Sequence, residues 1–275
     1  MNEKVKKGCT ELVEKSKAVV REAFEKFKSC EMAVTWTGGK DSTTNLWIVR
    51  QVSLEDNIEL PQVITIDEGD AFTEITDFLI RISKKWNIDL EWLCNFDVLR
   101  CCQSHLGNTV KVKDLNERNQ TELKRIGFEE DSFTFEAESY AGNHLMKTVV
   151  LNQFIQENNT KALFMALRRD EQAARKHDEY FTKKEGGHLM PEHTRISPTL
   201  HFSERDIWNN IKLHNIPYCS LYEIGYRSLG ARATSNPMAV GVPAWEQDLE
   251  HTPERAGRRQ DKEKTMDRLR KLGYM

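Results

Sequence analysis

"VTWTGGKDSTTNLW", residues Val34 to Trp47, decides the fold. An apolar stretch runs into two adjacent glycines, then a lysine and an aspartate, and a run of hydroxyls opens a second segment with apolar positions at helical spacing. Strand, glycine turn, helix is the order that presents the free amides of a helix N-terminus to an anion. Gly38 and Gly39 let backbone N–H groups approach phosphate oxygens, and Lys40 adds a mobile cation. Asp41 is placed to hold Mg²⁺ or to orient the loop, while Ser42 and Thr43 offer hydroxyls at the helix start. A turn with no ligand is the other reading of the same glycines. The pattern is neither GxxxxGK[ST] nor GxGxxG, because the lysine follows adjacent glycines and an aspartate comes next.

Outward from this loop the chain alternates. Residues 3–29 read as an amphipathic helix with Leu12, Val13, Val19, Val20, Phe24 and Phe27 on its apolar stripe. After the loop, "LPQVITIDEGD" reads as a strand closed by Asp67, "FTEITDFLIRISKKWNI" as a helix and "DLEWLCNF" as a strand. "HLMKTVVLNQFIQEN" is then a helix leading into the strand "KALFMAL", which delivers Arg168 and Arg169 at its carboxyl end. Such alternation predicts an α/β domain, a parallel twisted sheet with helices on both faces, in which ligands bind outside the carboxyl ends of the strands. The loop, Asp67 and the two arginines are expected to meet there. "SERDIWNNIKLHNIP" is a capped helix, with Ser203 as N-cap and Asp206 in a capping box. Residues 100–143 carry no readable periodicity and stand as an inserted loop or lid. The organisation expected is an N-terminal helix (1–29), a nucleotide-binding α/β domain (30–230) and a charged C-terminal tail (231–275).

Composition sets the outer bounds. The chain has 275 residues, 39% hydrophobic and 30% charged, which suits a soluble globular protein, and it contains no apolar run long enough for a membrane helix. The charged N-terminus lacks the apolar core of a secretory signal, so a cytoplasmic location is expected. The net charge of −3 gives no general pull toward nucleic acid. The six cysteines form no CxxC pair and are expected to be free thiols; only Cys219 lies downstream of Cys101 and Cys102, which argues against a four-thiolate iron–sulfur cluster.

The loop read as Thr37, Gly38, Gly39, Lys40, Asp41 and Ser42 resembles the SGGKDS motif of the PP-loop ATP pyrophosphatases, the adenine nucleotide alpha hydrolases, with Thr37 replacing a serine. The resemblance implies that the loop grips the β- and γ-phosphates of ATP, that pyrophosphate leaves and that an acceptor takes AMP, with Mg²⁺ as companion ion. Further matches are to the branch holding phosphoadenylyl-sulfate reductases, the small subunit of sulfate adenylyltransferase and FMN adenylyltransferase. "VITIDEGDAFTEITDF" is similar to that branch's second strand, placing Asp67 near adenosine, and "ALRRDEQAARKHDEYF" to its Arg-Arg-Asp-Glu segment, placing Arg168, Arg169 and Arg175 at phosphate or sulfate oxygens. "TRISPTLHFSERDIW" resembles the segment closing the acceptor side, where His201 either contacts the acceptor or is a surface histidine with satisfied hydrogen bonds. "HNIPYCSLYEIGYRSLGARATSNP" resembles the next segment, with Tyr226, Arg227, Ser228 and Gly230 near substrate. The carboxyl-terminal "TPERAGRRQDKEKTMDRLRKLGYM" is similar to that of the sulfate adenylyltransferase small subunit, with Arg255, Arg258 and Arg259 folding over nucleotide or meeting a partner.

The resemblance thus implies adenylyl transfer to an oxyanion, with sulfate the leading acceptor, and a GTPase large subunit as partner because sulfate activation is strongly uphill. Transfer to FMN or another acceptor is the alternative, a nucleotide-binding component without turnover is a third reading, and a homo-oligomer is compatible with all of them. Reductases of the branch resemble thiol reductants with a carboxyl-terminal cysteine motif, whereas this sequence has no cysteine after Cys219.

Overall fold

A computed structural model describes residues 1–171, 175–187 and 190–257. Strand β1 (Met32–Thr35) is the axis of the sheet, and its side chains alternate between two cores. Met32 and Val34 face one side, while Ala33 faces the other with Ile64, Leu163, Phe154 and Ile155. On one side of β1 lie β2 (Gln62–Asp67) and then β3 (Leu90–Cys94); on the other lie β6 (Ala162–Phe164), β8 (His193–Ile196) and β7 (Phe181–Lys184). Every neighbouring pair is parallel except β7 against β8. The expected parallel sheet is present, with an antiparallel edge strand added. The order turns about β1, so the crevice at its carboxyl end is a topological switch point.

Helices α1 (Glu3–Lys26), α2 (Lys40–Glu55) and α8 (Glu204–His214) contact one another on the Met32 and Val34 side, and α3 (Thr73–Trp86) joins their core through Ile75, Phe78, Leu79 and Ile82. Helix α7 (Val150–Glu157) covers the other side. The α8 capping box forms as expected: Asp206 N–H donates to Ser203 Oγ at 3.2 Å, and Ser203 N–H donates to Asp206 Oδ2 at 2.9 Å. Helix α1 is held to the core by Ser16, whose hydroxyl donates to the Pro198 carbonyl at 2.7 Å.

Residues 100–143 are more than a loop. Helices α4 (Phe96–Cys101) and α5 (Glu117–Arg125), with the antiparallel pair β4 (Thr109–Lys111) and β5 (Ser132–Thr134), enclose a separate core of Val98, Val110, Leu123, Phe135, Leu145 and Met146. Asn95 braces it, donating to Asn119 Oδ1 at 2.9 Å and to the Leu145 carbonyl at 3.0 Å. The chain leaves this insert through α6 (Tyr140–Asn143), a π-helical turn over His144–Val149, and α7, in one continuous helical run.

Residues 231–257 pack on the domain. Ala233 N–H donates to Asp70 Oδ2 at 2.9 Å, and Trp245 meets Trp208 and Tyr218 edge-on at 5.2 and 5.4 Å. Arg205 ties the segment to α8 through the Trp245 carbonyl at 2.9 Å and Glu250 at 2.9 Å. All six thiols are free, as expected. No described helix is long and apolar enough to cross a membrane.

Candidate active site

The loop between β1 and α2 uses its glycines for different reasons. Gly38 has φ +76°, and a Cβ there would stand 2.9 Å from Ile75 Cγ2, so the turn and its packing both require glycine. Gly39 is the N-cap of α2 with an ordinary φ of −71°. A Cβ at Gly39 would meet nothing closer than Thr37 Oγ1 at 3.5 Å and Tyr222 Oη at 3.6 Å. The protein's own packing thus leaves room for a side chain at Gly39. The Ser42 hydroxyl closes the turn, accepting from Thr37 N–H at 3.2 Å and donating to the Gly39 carbonyl at 3.1 Å. Thr43 faces the core instead, where its Oγ1 accepts from Trp36 Nε1 at 3.0 Å.

Lys40, only 1% exposed, sits at the centre of a buried ionic cluster. Its Nζ lies 3.2 Å from the Arg227 carbonyl, 3.3 Å from Asp41 Oδ2 and 3.7 Å from Glu204 Oε1, and it is ion-paired with Glu254. Burial disfavours the ammonium, but the Asp41, Glu254 and Glu204 carboxylates overcome it and hold the Lys40 pKa above its ordinary value. Its backbone N–H donates to Tyr222 Oη at 2.9 Å, and burial pushes that phenol's pKa up.

Arg168, delivered just beyond β6 and also 1% exposed, pairs with Asp41 and Glu254 and holds Asp170 Oδ1 at 2.9 Å. Burial opposes its charge, and Asp41, Glu254 and Asp170 outweigh that, keeping its pKa well above the ordinary value. The other oxygen of Asp170 accepts from Glu204 N–H at 2.8 Å, which fixes the start of α8 beside the loop. Glu254 therefore bridges Lys40 and Arg168; burial pushes its carboxyl up, but the two cations prevail and lower its pKa to about 2.

Next to the cluster a cavity of about 390 Å³ opens at the carboxyl ends of β1 and β2, in the size range of small-molecule sites. Thr37, Asp67, Arg175 and Arg255 line it, with Leu229, Gly230 and Ala231 along one wall and the Lys147–Glu68 ion pair (2.8 Å) in another. Asp67 Oδ1 accepts from Gly69 N–H at 2.8 Å, and Arg175 is ion-paired with Glu171, which also holds Arg255 at 3.2 Å.

The structure thus gathers the loop, Lys40, Asp41 and Arg168 in one cluster and sets Asp67 and Arg175 in the adjoining cavity. Other expected residues lie elsewhere. Arg169 turns away, donating to the Asp178 carbonyl at 2.8 Å and lying over the Tyr180 ring. His201 serves α1: a carbonyl can only accept, so its Nε2–H donates to the Leu12 carbonyl at 3.2 Å, and burial, with Lys15 and Arg169 nearby, lowers its pKa to about 4. Tyr226 packs edge-on against Phe72 at 5.3 Å. Arg227 grips Glu204 through Nε at 2.9 Å and Nη2 at 2.7 Å, and its Nη2 donates to the Leu249 carbonyl at 3.2 Å, so its side chain is a structural tie and only its carbonyl reaches Lys40. Ser228 is half-buried beside the cavity wall. Arg258 and Arg259 lie outside the described residues.

Sequence reasoning missed Glu254, Glu204 and Tyr222. In "TPERAG" the arginine draws attention, yet the glutamate between Pro253 and Arg255 is what reaches the loop. Asp41, the expected metal ligand, turns its oxygens to Arg168 and Lys40, and no group of three or more His, Cys, Asp or Glu among the described residues is arranged to hold a metal ion. These side chains do not form a magnesium cage by themselves; Mg²⁺ commonly relies on substrate phosphates for much of its coordination.

Comparisons with known proteins bear on the family and the fold. A family model described as the phosphoadenosine phosphosulfate reductase domain matches residues 31–237. Adenosine 5'-phosphosulfate reductase of Bacillus anthracis is 30% identical over 83 residues, 30% of this chain and 35% of that one, so the match spans about a third of that relative's length. Among solved structures, FMN adenylyltransferase of Candida glabrata superposes with a TM-score of 0.65 at 17% identity, covering 93% of this chain and 89% of that one. Phosphoadenylyl-sulfate reductase from Candida auris superposes with a TM-score of 0.55 at 16% identity, covering 86% and 98%. At such identities these two show a shared fold.

Proposed function

Because the chain belongs to the phosphoadenosine phosphosulfate reductase domain family, we propose that it is an adenylyltransferase that binds ATP on the Thr37–Thr43 loop, releases pyrophosphate and passes AMP to an oxyanion, with sulfate as the acceptor. One observation carries this reading: Lys40 and Arg168, both 1% exposed, converge on a single carboxylate at the N-terminus of α2. A pair of buried cations beside helix amides is a binding site for anionic oxygens.

In the proposed reaction an acceptor oxygen attacks the α-phosphorus, the α–β phosphoanhydride bond breaks and its electron pair leaves on pyrophosphate. Lys40, Arg168 and the loop amides stabilise the charge that accumulates there, which is where preorganised donors contribute most. The nucleoside would occupy the cavity beside Asp67, with Arg175 at the acceptor end. Mg²⁺ would enter with the phosphates, and a GTPase partner would couple sulfate activation to a downhill reaction.

ATP–pyrophosphate exchange tests the proposal, run with sulfate, selenate, molybdate and FMN as acceptors. Sulfate-dependent exchange that disappears in Lys40→Ala is the expected result. Exchange with FMN alone would move the acceptor, and exchange unaffected by Lys40→Ala would sink the loop assignment.

A further inference from the structure

The cluster holds a carboxylate where the proposed reaction needs a phosphate. Glu254 bridges Lys40 and Arg168 from a segment 214 positions downstream of the loop, and the two cations most suited to a pyrophosphate group are both engaged by it. We propose that Glu254 is an internal occupant of the phosphate site, and that the strap carrying it must lift out before a pyrophosphate-bearing ligand can bind.

The strap is built for such a release. Glu254 is deeply placed, yet His251, Thr252, Pro253 and Ala256 around it are exposed, so lifting this turn uncovers little apolar surface. The anchor upstream is independent of the carboxylate: Trp245 stays wedged between Trp208 and Tyr218, and Arg227 holds the Leu249 carbonyl at 3.2 Å. Release is then local, a movement of residues 251–257 that parts Arg255 from Glu171, Thr252 from Arg227 and the Gly257 carbonyl from Asn236 N–H, while Trp245, Leu249 and the Arg205–Glu250 pair stay in place.

Departure of Glu254 also leaves the remaining charges balanced, with Lys40, Arg168 and Arg227 facing Asp41, Asp170 and Glu204. Pyrophosphate offers more oxygens than a carboxylate and can engage the loop amides as well as both cations, so it competes by mass action. Protonation does not open the strap near neutral pH, because Lys40 and Arg168 keep Glu254 ionised against the effect of burial. A ligand that binds only the open form has its apparent affinity reduced by the fraction of molecules that are open.

This inference rests on the loop's proposed role in holding phosphate, and the experiment separates the two. Calorimetry with inorganic pyrophosphate is run on the full chain as wild type, Glu254→Gln and Lys40→Ala. Binding that tightens about tenfold in Glu254→Gln and vanishes in Lys40→Ala is the expected result. Binding that depends on Lys40 but is equal or weaker in Glu254→Gln overturns the strap while sparing the loop assignment. Binding that survives Lys40→Ala, or is absent throughout, overturns both. Limited proteolysis of the wild type needs no variant: pyrophosphate should speed cleavage within residues 250–257, and unchanged cleavage under saturating pyrophosphate overturns the strap.

Discussion

The active-site cluster and the insert are both buried, but they are built in opposite ways. The insert encloses Val98, Val110, Leu123, Phe135, Leu145 and Met146, drawn from a short contiguous stretch, packed by apolar contact and braced by the buried Asn95–Asn119 pair. The active site draws Lys40, Arg168, Glu204, Arg227 and Glu254 from distant parts of the chain and joins them by charge. Apolar packing has no substitute partner once a side chain is lost, because the cavity left behind is only partly refilled. Ionic partners can be exchanged, because an arriving anion can replace one carboxylate with another set of oxygens. The insert is therefore suited to hold shape, and the cluster to hold a ligand.

The largest expected effect comes from Arg227→Ala, which leaves the buried Glu204 carboxylate with only the more distant Lys40 and should lower stability by about 3–5 kcal/mol in urea unfolding. Phe135→Ala should cost about 3 kcal/mol by the same measurement through cavity formation, yet leave pyrophosphate affinity within about twofold. If it weakened binding as much as Lys40→Ala, the two regions would not be separable. Asn95→Ala removes the donor to Asn119 and Leu145 and should cost about 1–3 kcal/mol, again without changing affinity.

His201 lies outside both regions and sets a reference for pH. An unfolded imidazole takes up a proton below about pH 6.5, whereas His201 in the folded chain resists it until about pH 4. The unfolded state therefore binds more protons in that window, and stability falls as pH falls through it. His201→Phe should flatten that part of the plot of Tm against pH. Arg169→Ala should have the smallest effect of the series, changing kcat/KM less than about threefold, because its guanidinium faces Asp178 and Tyr180. A loss comparable to that of Arg168→Ala would extend the site to Arg169.

What could be read from the sequence follows the same division. The loop was legible because its chemistry is local: Gly38, Gly39, Lys40 and Asp41 are adjacent, and a strand and a helix flank them with clear periodicity. Arg168 and Arg169 were equally plausible in sequence, and only the fold decides which side chain enters the cluster. Arg227 is placed near substrate by the resemblance of its segment, and only the fold shows that its guanidinium is held by the buried Glu204. Glu254 was illegible because its partners Lys40 and Arg168 lie 214 and 86 positions away and nothing in "TPERAG" points to them. Residues 100–143 could be read as an inserted loop or lid but not given internal structure, because β4 and β5, at 3 residues each, are too short to show alternation.

The π-helical turn at His144–Val149 has a consequence for how this domain tolerates its insert. A wide turn holds an extra residue compared with an α-helical turn, which rotates everything after it by about 100° about the helix axis. One rod can thereby offer Leu145 and Met146 to the insert core and Phe154 and Ile155 to the sheet, while Lys147 meets Glu68 at the cavity wall. Deleting a single residue in this turn would re-phase the rod, so that a helix correct at one end would be misaligned at the other. The turn acts as a gear between two packing frames that share no common pitch.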